Sequence, residues 1–137
     1  MSTSDTARKL TTLQKLILTD LAAALLCALF GAVYERFSHG VYSYCMLYAF
    51  AFPLVLGVLP LYLVSTRPAP LPKRVCLGLY HAGIATLTVG SLILGALEIY
   101  GTTSPLIVVY WIAGAALTLL GGLLFFTRVI REQGRAA

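Results

Sequence analysis

Three long stretches of this chain are nearly free of charge, and they constrain its fold more than any other feature. Residues 37–66 contain no Asp, Glu, Lys or Arg, residues 75–127 contain only Glu98, and only Asp20 and Glu35 lie between Lys15 and Arg36. A helix needs about 20 mostly apolar residues to cross about 30 Å of hydrocarbon. In chain order, the first two charge-poor stretches each hold one such helix. The third is long enough for two, and Tyr100-Gly-Thr-Thr-Ser-Pro105 divides it. We therefore expect spans at 16–34, 44–65, 75–99 and 105–127. Period-2 alternation is missing, and the Leu/Ala-rich runs are too long for strands. Lipid also requires that backbone polar groups be paired within the protein, which a helix achieves by itself. The expected fold class is all-α, a polytopic four-helix membrane bundle.

Composition agrees. Hydrophobic types make up 59% and charged types 11% of the chain, against about 45–50% and about 25% in soluble domains. With so little charge the chain has too few groups to cover its surface in water. A soluble enzyme, a nucleic-acid binder and a disordered tail are excluded on that ground.

The net charge of +5 is explained by its placement. Arg8, Lys9 and Lys15 precede the first span; Arg67, Lys73 and Arg74 separate the second from the third; Arg128, Arg131 and Arg135 follow the fourth. Only Arg36 falls on the other side. The positive-inside rule puts the basic side in the cytoplasm, with residues 1–15 and the basic tail 128–137 both inside. The expected location is a bacterial cytoplasmic membrane, and anionic lipid headgroups are natural neighbours of these cations. A cleaved signal peptide fits poorly: the first apolar run is longer than an h-region, and Phe30 spoils cleavage after Ala32.

Residues 1–9 read as a loose polar segment. The connector carrying Pro68, Pro70 and Pro72 reads as extended and stiff. Pro53 and Pro60 predict two kinks in the second span. Cys27, Cys45 and Cys76 fall at different depths and no CxxC occurs, so neither a disulfide framework nor zinc is expected. Phe30-Gly-Ala-Val-Tyr-Glu35 and Leu94-Gly-Ala-Leu-Glu98 form a weak internal repeat, consistent with two hairpins in parallel orientation.

Small residues mark packing faces, because close backbone approach is what joins helices in lipid. The fourth span has Gly114, Thr118 and Gly122 at intervals of four, and the third has Gly83 and Gly90. Tyr34, Tyr42, Tyr44, Tyr48, Tyr100, Tyr110 and Trp111 gather toward the outer boundary. They form an aromatic belt or, on a sharper reading, a ligand cage.

Two helices carry polar stripes. Asp20, Ala24, Cys27, Gly31 and Glu35 share one face of the first span, and His81, Ala85, Thr88, Ser91, Gly95 and Glu98 one face of the third. Both stripes should point into the bundle. Asp20 and His81 lie near the cytoplasmic boundary and form the expected intramembrane polar pair. Glu35, His39 and Glu98 form the expected outer-face site. Ionisable groups in hydrocarbon cost about 2.5–3.5 kcal/mol at the centre, so they persist when paired or functional. The two sets read either as structural ties or as inner and outer stations of a proton- or cation-coupled path. Glu35 and His39 at i, i+4, joined by Glu98, would make three metal ligands if the first helix continued outward; we assign no metal, cofactor or catalytic residue. Haem fails because His39 and His81 lie at different depths.

The stretches Val33-Tyr-Glu-Arg-Phe-Ser-His-Gly-Val-Tyr-Ser-Tyr44 and His81-Ala-Gly-Ile-Ala-Thr-Leu-Thr-Val-Gly90, with Leu97-Glu-Ile-Tyr-Gly-Thr-Thr103, resemble small, uncharacterised four-span membrane proteins of Gram-positive bacteria. That resemblance implies the fold and no activity. Size and span count are also similar to the small multidrug-resistance exporters. Those carry an essential glutamate in the middle of the first helix, where this chain has Cys27 among alanines and leucines. The expected role is a non-enzymatic accessory subunit of a larger membrane complex. The alternative is a homo-oligomeric transporter or channel for an ion or small solute. The expected partners are the lipid bilayer and either a second copy or a larger membrane protein, with no nucleic acid.

Overall fold

The computed structural model describes residues 3–66 and 73–136. The elements are α1 (Thr3–Phe37), α2 (Tyr44–Leu47), a π-helical segment (Phe52–Val58), α3 (Leu59–Ser65), α4 (Arg74–Tyr100) and α5 (Ile107–Ala136). Four helices are long and apolar enough to cross a membrane: Thr11–Phe37, Tyr44–Ser65, Arg74–Tyr100 and Ile107–Arg131. The proline-containing connector expected to be stiff lies outside the described residues.

One end differs from expectation. Residues 3–9 are helical rather than loose. They hold no Gly or Pro, and Ala7, Arg8, Lys9 and Leu10 are good helix formers that extend the helix toward its N-terminus. At the other end, α5 continues through the basic tail. The turn between α4 and α5 is built as the Gly-Thr-Thr motif dictates. Gly101 takes φ 69°; its N–H donates to the Glu98 carbonyl at 3.1 Å, and the Thr102 N–H donates to Leu97 at 3.0 Å. This is a Schellman closure, which needs a left-handed residue just past the helix.

The second span is not a helix with two kinks but three pieces. Pro53 opens the π segment, and Pro60 sits in the first turn of α3. A proline supplies no N–H and its ring presses on the carbonyl four residues back. Here the chain answers with a widened π register rather than a simple bend.

The packing order follows the chain. α1 leans on the second span, α4 packs on the second span and, most extensively, on α5. The α4–α5 seam is made of small residues. A Cβ on Gly83 would strike the backbone and hydroxyl of Thr118, one on Gly121 would strike the Tyr80 backbone, and one on Gly114 would meet Leu87 at 2.7 Å. Gly90 lies against Tyr110, where an added Cβ would sit 2.7 Å from the ring-bearing carbon. Gly122 meets only the Tyr80 ring, at 3.4 Å, so against Tyr80 the close approach is at Gly121, one residue from the position the i+4 series selects.

At one end of the bundle Leu13, Leu61, Val64, Leu77, Phe125 and Val129 form a buried cluster. Leu13 belongs to α1 and Val129 to the last turns of α5, so the N-terminal half of α1 and the C-terminal turns of α5 meet at this end. Tyr80 stacks on Phe125 above it, with centroids 6.0 Å apart.

Candidate functional site

Asp20 on α1 and His81 on α4 meet: His81 Nε2 lies 3.0 Å from Asp20 Oδ2. The other ring nitrogen, Nδ1, lies 2.9 Å from the Leu77 carbonyl one turn back. A carbonyl oxygen only accepts, so Nδ1 carries a hydrogen. The Nε2–Oδ2 contact then needs one more proton, carried by the ring or by the carboxyl. Either placement leaves the pair with no net charge, which is the state a low-dielectric setting favours. Asp20 is 7% exposed. Its carboxylate rests on Gly57 of the π segment, where a Cβ would come within 2.6 Å of Oδ2. Three elements thus converge on one carboxylate.

Two further bonds from α4 explain how the broken second span is satisfied. Pro60 cannot donate to the Leu56 carbonyl, and the Tyr80 hydroxyl donates to it instead, at 2.7 Å. At the outer end α2 stops at Leu47, and the Ala49 N–H turns to Met46 rather than to Cys45. The Ser91 hydroxyl donates to the Cys45 carbonyl at 2.5 Å. Ser91 belongs to the polar stripe; Tyr80 does not, and only the missing proline N–H signals its partner.

The outer-face residues do not come together as one site. Glu98 accepts from the Ser43 hydroxyl at 2.5 Å and from the Cys45 thiol at 3.8 Å. Ser43 also caps α2, its oxygen accepting from the Met46 N–H at 3.3 Å. Glu98 is therefore a tie between α4 and the start of the second span. His39 lies elsewhere because α1 ends at Phe37. The Ser38 hydroxyl donates to the Glu35 carbonyl at 2.7 Å, and His39 takes φ 55°, so Glu35 and His39 do not share a helical face. The condition for the three-ligand reading, an outward continuation of the first helix, is not met. Among the described residues no group of three His, Cys, Asp or Glu is placed to hold a metal. Glu35 keeps one buried carboxylate oxygen without a hydrogen-bond partner.

The stripes are otherwise inward. Ala24, Cys27 and Gly31 on α1 and Thr88, Ser91 and Gly95 on α4 are buried, while Ala85 and Glu98 are exposed. Gly31 and Gly95, equivalent in the internal repeat, both face Met46: a Cβ on Gly31 would lie 3.2 Å from its carbonyl oxygen, and one on Gly95 2.5 Å from its Cβ.

Between α1 and α4 a cleft remains. Its deeper part, about 380 Å³, is lined by Leu26, Cys27, Phe30, Leu92, Ile93 and Ala96. Its outer part, about 550 Å³, is also bordered by Phe30 and carries Tyr34, Ser38, His39 and Tyr100. Compared with protein-family models, curated proteins and solved structures, the chain matches none.

Proposed function

We propose that this chain is a multi-pass protein of a bacterial cytoplasmic membrane, with both ends in the cytoplasm, and that it serves as a non-enzymatic accessory subunit of a larger membrane complex. One observation carries the reading. The polar groups of the helices are spent on holding them together: buried Asp20 on His81, exposed Glu98 on Ser43, buried Tyr80 and Ser91 on freed carbonyls of the second span. Such ties make a rigid scaffold. The outward faces are large and apolar, with Leu18, Leu25 and Leu29 on α1 and Ile112, Leu119 and Leu123 on α5 all more than 60% exposed. They suit lipid and the helices of a neighbour. The basic ends favour a cytoplasmic position for both termini.

Extraction of native membranes in a mild detergent tests this. The chain is expected to migrate with a larger, different membrane protein; a clean homo-oligomer would contradict the accessory role.

A second reading, proton-coupled transport by an oligomer, draws support from the proton shared by Asp20 and His81 and from the unpartnered oxygen of Glu35. On that reading Glu35→Gln and Glu98→Gln should each remove pH-dependent flux in reconstituted vesicles while leaving assembly intact. Unchanged flux would discard the tested glutamate as a coupling group.

A further inference from the structure

We propose that the cleft between α1 and α4 is a binding site for one phospholipid, whose acyl chain lies in the deeper part and whose headgroup meets the outer part. The inference rests on the membrane reading above and goes beyond the accessory role.

Three features argue for this occupant. The first is the polarity gradient. The deeper part is walled by hydrocarbon and one thiol, Leu26, Cys27, Phe30, Leu92, Ile93 and Ala96. The outer part adds two phenols, an imidazole and a hydroxyl, from Tyr34, Tyr100, His39 and Ser38, to apolar walls from Phe30, Val33, Phe37 and Ile99. Phe30 borders both, so a wholly apolar compartment adjoins one that carries hydrogen-bonding groups, in the order in which an amphiphile presents its tail and head. Phosphate and ester oxygens accept hydrogen bonds that phenols and imidazole donate.

The second feature is size. The deeper part spans about one turn of each wall and offers about 380 Å³, within the range of about 300–1,000 Å³ of clefts that take small molecules.

The third is the rim. α1 stops at Phe37, and His39 is held at φ 55° with Gly40 at φ 89°. Left-handed backbone at a non-glycine residue is uncommon, and here it belongs to a residue that borders the outer compartment. Tyr100, on the opposite rim, is 79% exposed.

The test uses the full chain purified in a mild detergent, with palmitoyl-oleoyl-phosphatidylglycerol added as the probe and retained lipid counted by native mass spectrometry. The wild type should keep one phospholipid. Ala96→Trp fills the deeper part and should reduce retention about tenfold, whereas Leu119→Trp on the exposed face of α5 should not. His39→Ala with Tyr100→Phe alters only the rim and should reduce retention several-fold; this variant decides the matter if Ala96→Trp does not fold. Retention unchanged in the rim variant, or in a folded Ala96→Trp, overturns the proposal. A polypeptide held at the cleft in place of lipid overturns it too. Carbonate washing of the source membranes reads the membrane assignment separately: release of the chain sinks that assignment, while an inserted chain with no retained lipid sinks only the lipid site.

Discussion

The Tyr80 hydroxyl donates to the Leu56 carbonyl, the group that Pro60, lacking an N–H, leaves without its helical donor. The bond joins α4 to a break in the second span, and the phenol ring is fixed independently by its stack on Phe125. Tyr80→Phe keeps the stack and removes the donor. It should lower stability by about 1–2 kcal/mol, the scale of an interhelical hydrogen bond in a membrane, measured by denaturant titration in micelles. In a Pro60→Ala background the restored N–H can serve Leu56, and the same change should cost much less. Equal losses in both backgrounds would show that the proline is not what makes the bond matter.

For the Asp20–His81 pair, Asp20→Asn and His81→Ala should each destabilise the bundle, and the double variant should cost less than their sum. Removing one partner leaves the other buried and unpaired. The coupling expected for an intramembrane pair is about 0.6–1.7 kcal/mol. A thermodynamic cycle that closes with strictly additive losses would remove the pair as a tie between α1 and α4.

Glycine substitutions separate close backbone approach from mere composition. Gly121→Ala places a methyl group into the Tyr80 backbone, and Gly57→Ala places one 2.6 Å from the Asp20 carboxylate. Each should cost about 1–3 kcal/mol through overpacking. Gly78, with nothing within 4 Å of an added Cβ, should accept alanine without loss and gain up to about 1 kcal/mol from helix propensity. Comparable behaviour of all three would contradict the close seams.

Much of this architecture was legible because charge and depth are written residue by residue. The gaps between Lys15, Arg36, Thr66 and Thr127 mark four spans, and helical periodicity alone aligns Asp20 with the inward face of α1 and His81 with that of α4. What escaped are features set by distant partners. Pro53 and Pro60 announce a disturbance, but the carbonyls left free in the second span are served by Tyr80 and Ser91, 24 and 46 residues away. Spacing ranks Gly122 with Gly114 and Thr118, yet the packing rotates Gly121 onto Tyr80. At the outer end, Glu35 and His39 look like i, i+4 partners only while the helix is imagined to continue; it ends between them, and Glu98 finds Ser43 instead. Gly31 and Gly95, matched by the repeat, are made meaningful by Met46, which no local pattern identifies.

The glutamate at the outer end supplies a further check. Ser43 both caps α2 and donates to Glu98, so Ser43→Ala removes two roles and should cost about 1–2 kcal/mol. Ser43→Asp would preserve the cap but set a second carboxylate beside Glu98, and should be worse than alanine. If Ser43→Asp is the milder change, the Glu98 contact contributes little.

Most directly at stake is the claim that four helices thread a bilayer with the basic ends inside. In a background with Cys27, Cys45 and Cys76 replaced, Thr102→Cys and Lys73→Cys can be probed on intact cells with a membrane-impermeant thiol reagent. Labelling is expected at position 102 from outside, and at position 73 only after permeabilisation. Labelling at position 73 from outside, with position 102 silent, would contradict that claim.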